Sequence, residues 1–360
     1  MGKYFFYHMR KTVIRFVVMA LFLCVLVNAG VCEERTLYSG ETYYQVSLGA
    51  FAFFSIVAPF AVAGLEFAQF MNRRNLDTWY SLPISRIDLF ITHFLNGAIQ
   101  MTATILAGAI VALIRIIQHP ELHVEKLGTF VAIIWALTMF LYMVVTFFFV
   151  SANNVFDGCV FMAGSFFLPL SLFTIFRNFY VVAKLGKNIY SRGITSQFVV
   201  NGYGLYSIIF TAAERYSTLI SGKSSSSMLY FSDDIPEFSI PQVLVWIMLS
   251  VGALAGAIYV FSSKKTEKVS GVSESWFGYR SLIPACTAST MSTTAMATAM
   301  LDGQFAGLLS MVGLIPTLIA VFVSYVIFRR GVKFKLTDII SAGALLVFYI
   351  ICVIVYRAFI

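Results

Sequence analysis

The run FVAIIWALTMFLYMVVTFFFV, Phe130 to Val150, passes twenty-one residues without a lysine, arginine, histidine or carboxylate. A helix rises about 1.5 Å per residue, so this stretch matches the roughly 20 residues that cross the hydrocarbon layer of a bilayer. Working outward from it, windows of the same kind lie at Val13 to Val31, Gln45 to Phe70, Leu89 to Ile114, Gly158 to Ile175, Val243 to Phe261, Phe305 to Phe328 and Ile339 to Tyr356. A weaker one, Ser281 to Met300, is rich in Ala, Thr, Ser and Met, a composition suited to close packing among helices. With 59% apolar and 12% charged residues, the chain is more apolar than a soluble core requires. The expectation is an all-α integral membrane protein, a polytopic helical bundle of eight strong spans and one weaker, forming a single transmembrane domain over 1–360.

The formal charge of +8 does not form a basic patch with interleaved aromatics, so nucleic acid is not an expected partner. Membrane orientation explains it better. With the amino terminus in the cytoplasm, Lys3, Arg10, Lys11, Arg15, Arg73, Arg74, Arg86, Lys264, Lys265, Lys268, Arg280, Arg329, Arg330, Lys333 and Lys335 all fall inside, most of them at helix ends where the positive-inside bias acts. Against these fifteen stand Glu66, Asp77, Asp88, Asp157, Glu267, Glu274 and Asp338, seven acids, so the inner side carries the whole excess of +8. Lys264 to Lys268 and Arg329 to Lys335 share that side only if an even number of crossings separates them, which counts Ser281 to Met300 as a span. The expected location is the bacterial plasma membrane, with lipid as a partner.

The first span has the basic lead and apolar run of a secretory signal, with Val27-Asn28-Ala29 resembling a cleavage site. It is read as a retained first helix. Five cysteines, Cys24, Cys32, Cys159, Cys286 and Cys352, are scattered and mostly apolar in context, so no disulfide or metal framework follows.

Residues 1–12 mix aromatics and bases in the manner of an interfacial segment, or of a flank anchoring the first span. Arg177 to Ser239 is a long extracytoplasmic loop. Its apolar run Tyr203 to Ala213 is too short to cross, and is expected to lie along the interface or pack on the bundle. Residues 240–360 hold the carboxyl-terminal helices. No internal repeat is visible, and Pro59, Pro169, Pro284 and Pro316 lie within or beside spans, where prolines kink helices.

The inner loop 71–88 carries the most structure signals. Leu76, Trp79, Tyr80 and Pro83 stand at i, i+3, i+4 and i+7, giving a short helix with one apolar face and Arg73, Arg74, Asp77 and Ser81 elsewhere. Pro83 drives Leu82 out of the helical region, and Ser85 with Asp88 three residues on predicts a capped start for the third span. Arg86 then falls in a first helical turn, where the macrodipole disfavours a cation. Something negative is expected to face it: lipid phosphate, or an acidic residue of another protein.

Asp77 with Ser81-Leu82-Pro83-Ile84-Ser85-Arg86 and Leu89-Phe90 resembles the D-x-x-x-SLPISR-x-x-LF loop of permease subunits of type-two ABC transporters from Gram-positive bacteria. The resemblance implies a coupling loop in which Arg73, Arg74, Asp77, Trp79, Tyr80, Leu82, Pro83, Ser85 and Arg86 engage a separate ABC ATPase subunit. It also implies a second permease, either another copy or a homologue, and export driven by ATP bound on the partner, so this chain itself needs no cofactor. The helices beyond a six-span core depart from the wider superfamily. Asn153, Asn154 and Asp157 in a short inner turn are either a second contact with the ATPase or a plain turn between helices.

Glu66, near the inner end of the second span, is an intramembrane carboxylate and so a functional candidate by default, or an acid paired with Arg73 or Arg74. His119, Glu121, His123 and Glu125 have ligand-like spacing, but Pro120 and the short loop favour a solvated turn, and no metal site is expected. Gly222-Lys223-Ser224 lacks the earlier glycine of a phosphate-binding loop, where Ser217 stands, and no protease motif occurs. No catalytic residue is expected. The rival reading, an ion- or proton-coupled carrier, calls for several ionisable residues deep in the spans, and only Glu66 approaches that description. A non-transporting membrane sensor or scaffold is the third.

Overall fold

The computed structural model describes residues 2–36, 42–72, 83–185, 205–221, 240–264, 267, 269–271, 273, 275–276, 278–300, 304–332 and 334–359. In chain order the elements are α1 (Gly2–Gly30), the antiparallel pair β1 (Cys32–Thr36) and β2 (Thr42–Val46), α2 (Gly49–Phe67) with a 3-10 turn Ala68–Met71, α3 (Arg86–Ile117), α4 (Glu125–Val150), α5 (Val155–Leu185), α6 (Leu205–Ser221), α7 (Ile240–Ser263), α8 (Tyr279–Met300), α9 (Gln304–Arg329) and α10 (Leu336–Phe359). Among the described residues, seven helices are long and apolar enough to cross a membrane, in α1, α2 with its 3-10 turn, α3, α4, α7, α9 and α10. The chain is a helical, multi-pass membrane protein. Each of the nine apolar windows contains a helix, the second opening on the last residues of β2.

Contacts divide the chain into two compact units, residues 1–150 with 205–269, and 151–204 with 270–360. In the first unit α3 packs against α1, α2, α4 and α7. Gly97 and Gly108 give it close approach: a methyl group on Gly97 would run into the Tyr142 hydroxyl of α4, and one on Gly108 would stand 2.8 Å from Leu23 of α1. Small residues at such contacts let helices pack where lipid offers no hydrophobic drive toward association.

At the β-hairpin end of this unit, α6 docks on the bundle rather than spanning it. The Ser221 and Ser217 hydroxyls accept from the backbone N–H of Val46 and Leu48 at 2.9 and 3.0 Å. Tyr216 packs on Phe130 and Tyr206 on Phe60. The apolar stretch expected to lie on the interface or the bundle therefore does the latter, as a 17-residue helix.

Two expected boundaries move. Residues 1–12 are continuous with the first span: α1 runs unbroken from Gly2, and its first turns turn His8 and Thr12 inward, where both are buried. The expected loop from Arg177 begins later, because α5 continues to Leu185. Its polar interruption, Asn178, is fully buried and donates to Ser292 of α8 at 3.2 Å. A polar residue that has found a partner does not end a helix.

In the second unit α8 packs among α5, α9 and α10. Its small residues serve the expected purpose, with Met291, Ser292 and Ala295 fully enclosed and Ser292 hydrogen-bonded to Tyr356 of α10 at 2.8 Å. The link from α9 to α10 is fixed twice. Arg330 takes the left-handed conformation (φ 52°) just past the helix, with Gly331 N–H on the Val326 carbonyl, a Schellman closure. Arg329 then grips both carboxylate oxygens of Asp338 at 3.0 and 2.9 Å.

Candidate functional site

Three helices of the first unit converge at the end opposite the hairpin. Successive antiparallel helices bring the start of α1, the close of α2 and the start of α3 to one level, and each contributes an ionisable side chain. Glu66, 1% exposed, lies between His8 (5%) and His93 (0%). Its Oε2 receives His8 Nε2 at 2.7 Å and His93 Nδ1 at 3.0 Å. Its Oε1 accepts from Asn96 Nδ2 at 2.9 Å, with Arg15 Nη1 at 3.6 Å. The two imidazoles meet edge to face, centroids 4.1 Å apart.

The surroundings hold this cluster in place. Tyr4 Oη lies 3.0 Å from His93 Nε2, and Thr12 accepts from Asn96 at 3.1 Å. Gln69 Nε2 donates to the Glu66 carbonyl at 3.2 Å and sits 3.3 Å from the His93 ring nitrogens. Phe67, Phe70, Phe90 and Phe261 build an apolar wall beside them, with Phe70 edge-on to His93 at 4.9 Å. A carboxylate withdrawn from water costs several kcal/mol unless its lone pairs are satisfied. Here both oxygens are, by donors from α1 and α3.

Glu66 is therefore not the lone ionisable group within the spans, as the sequence suggested; His8 and His93 share its enclosure. The expected pairing with Arg73 or Arg74 falls outside the described residues, and the cation near Glu66 is Arg15. His93 was legible in principle as a histidine inside an apolar window. His8 was hidden among the aromatics and bases of the amino terminus. His119 and His123 do not assemble a ligand set: His119 stacks on Tyr44 at 3.9 Å, and the His123 backbone bonds to Ile220. Among the described residues, the group with metal-ligand geometry is His8, Glu66 and His93.

Of the coupling-loop residues, Arg73, Arg74, Asp77, Trp79, Tyr80 and Leu82 lie outside the described residues. Pro83, Ser85 and Arg86 lie within them. Ser85 is extended (φ −64°, ψ 150°) and its hydroxyl accepts from Asp88 N–H at 3.1 Å, the cap the spacing predicted. Arg86 is placed against the last turn of α7. Its Nη1 donates to the carbonyls of Lys264 at 2.7 Å and Ser262 at 3.4 Å, the negative end of α7. A residue unsuited to starting one helix is thereby suited to closing another.

Asn153, Asn154 and Asp157 are committed within the second unit. Asn154 Oδ1 caps α5 by accepting from Asp157 N–H at 2.8 Å, while its amide donates to the Asp157 carboxylate at 2.6 Å. That carboxylate, 4% exposed, also takes Ser273 at 2.6 Å and Tyr279 at 3.0 Å. Asn153 N–H donates to Ser273 Oγ at 2.8 Å. The arrangement is that of a turn between helices with its polar groups turned inward.

Comparison with known protein families, curated proteins and solved structures returned no match.

Proposed function

We propose that the chain is the transmembrane subunit of an ABC transporter of the plasma membrane, exporting a substrate with ATP hydrolysed by a separate subunit docked on loop 71–88. The observation that supports it best is the way that loop joins the bundle. Force applied at Pro83 enters α3 through a capped first turn and enters α7 through Arg86, so two helices receive it together. An ATPase shifts a permease between states only by binding them with different affinity, and the joined start of α3 and end of α7 give such a difference a path into two spans.

The test is purification of the tagged chain from its own cells. An ATPase with a phosphate-binding loop is expected to co-purify, and Pro83→Ala with Arg86→Glu is expected to leave the protein in the membrane while transport no longer follows ATP hydrolysis. Absence of such a partner, or unchanged transport in the double variant, overturns the proposal.

A second reading, an ion- or proton-coupled carrier, is favoured by the buried trio His8, Glu66 and His93, since intramembrane ionisable groups mark ion pathways. Transport by the chain alone in vesicles, driven by an imposed proton gradient, separates the two.

A further inference from the structure

We propose that His8, Glu66 and His93 form a binding site for a divalent transition-metal ion of the zinc class. Three donor atoms, two imidazole nitrogens and one carboxylate oxygen, come from three different helices and lie within 4.8 Å of one another. Two histidines and a glutamate with one position left open is a recurrent zinc donor set. Imidazole nitrogen selects zinc, copper, iron or nickel over magnesium and calcium, which favour oxygen.

The geometry requires little adjustment. Ligand atoms about 2.0–2.1 Å from a tetrahedral ion stand about 3.3 Å from one another. His8 Nε2 and His93 Nδ1 are now 2.7 and 3.0 Å from Glu66 Oε2, so each needs to open by only a few tenths of an ångström from that oxygen, and the two nitrogens already lie within 4.8 Å of each other. His8 lies near the amino end of α1 and can supply that movement.

The supporting shell fits both states. Without metal, His93 donates from Nδ1 to Glu66 and accepts at Nε2 from Tyr4. With metal on Nδ1, the proton sits on Nε2 and the Tyr4 hydroxyl becomes the acceptor, the outer partner that fixes a ligating imidazole. Asn96 retains Oε1, leaving Oε2 for the ion. Arg15 is the opposing charge, and its side chain, 42% exposed, is not enclosed with the three ligands. The site stands apart from the transport proposal and holds whether or not an ATPase docks on the chain.

The test uses the full chain in detergent, stripped with a chelator and titrated with Zn²⁺ against a chromophoric competitor, then with Co²⁺. The expected result is one equivalent bound, with the intense visible bands of four-coordinate Co²⁺. Tyr4→Phe should weaken binding about 10- to 100-fold. His93→Ala and Glu66→Gln should abolish it, and His8→Ala, altering only the amino end of α1, should abolish it in protein that stays monodisperse. The double variant His119→Ala/His123→Ala should bind as the parent does. No retained metal on monodisperse parent protein, an equivalent that survives in His8→Ala and His93→Ala, or one that disappears with the loop histidines instead, would each overturn the proposal.

Discussion

The Arg86 guanidinium rests on the carbonyl oxygen of Lys264 at 2.7 Å, so the first residue of one long helix closes the last turn of another. Hydrogen bonds from charged groups contribute about 1.5–3 kcal/mol. Arg86→Ala should therefore lower the melting temperature of the purified chain, and Arg86→Lys should recover only part of the loss, because an ammonium lacks the planar fork. If the ATPase still co-purifies with Arg86→Ala while coupling fails, the residue acts by transmitting motion. Loss of the complex itself would mean that it also contacts the partner.

Glu66→Ala should be among the most destabilising single changes in the first unit. It strips His8, His93 and Asn96 of one shared acceptor, and breaking a buried charged network costs about 3–5 kcal/mol. Glu66→Gln keeps the shape and one acceptor oxygen, and should cost less. Thermal unfolding in detergent, compared across the two variants, checks the order.

Asp157→Ala should destabilise the second unit by at least about 2 kcal/mol, since Ser273, Tyr279 and Asn154 all donate to its carboxylate. If the turn were instead a docking contact, the substitution would reduce ATPase binding with little change in stability. Parallel melting and co-purification measurements distinguish these outcomes.

Lys264 gives a pH dependence of defined sign. Burial lowers its ammonium from 10.5 to about 8, although Nζ donates to the Val150 carbonyl at 3.1 Å. Between those values the unfolded chain binds the extra proton, so stability should rise as pH increases from about 8 to 10.5 and this contribution should be flat on either side. Lys264→Met, which removes the charge and keeps the stem, should abolish that rise. An unchanged pH profile in the variant would assign the rise to another group.

The helices were legible because a bilayer sets a length and a polarity that single segments must meet alone. Ser85 was legible for a similar reason, since a cap and its backbone donor stand three residues apart. The hairpin was not: Cys32-Glu33-Glu34-Arg35-Thr36 shows no alternation of apolar and polar residues, and its partner Thr42–Val46 reads as the approach to a span. Arg86 donates to a pair of backbone carbonyls, which carry no sequence signature. His8 and Glu66 lie 58 residues apart on helices whose rotation no local spacing fixes, so their meeting is a product of packing alone.

The path of the chain through its two units also bears on biogenesis. Helix α5 is made early, yet Ser273, Tyr279 and Ser292, which satisfy Asp157 and Asn178, are made only after the chain has gone back to complete the first unit with α6 and α7. At about 5–20 residues per second, α5 waits on the order of ten seconds in the bilayer with a carboxylate and an amide lacking their final partners. That interval is when an insertion chaperone has most to offer this protein, and when a pause in translation would do it most harm.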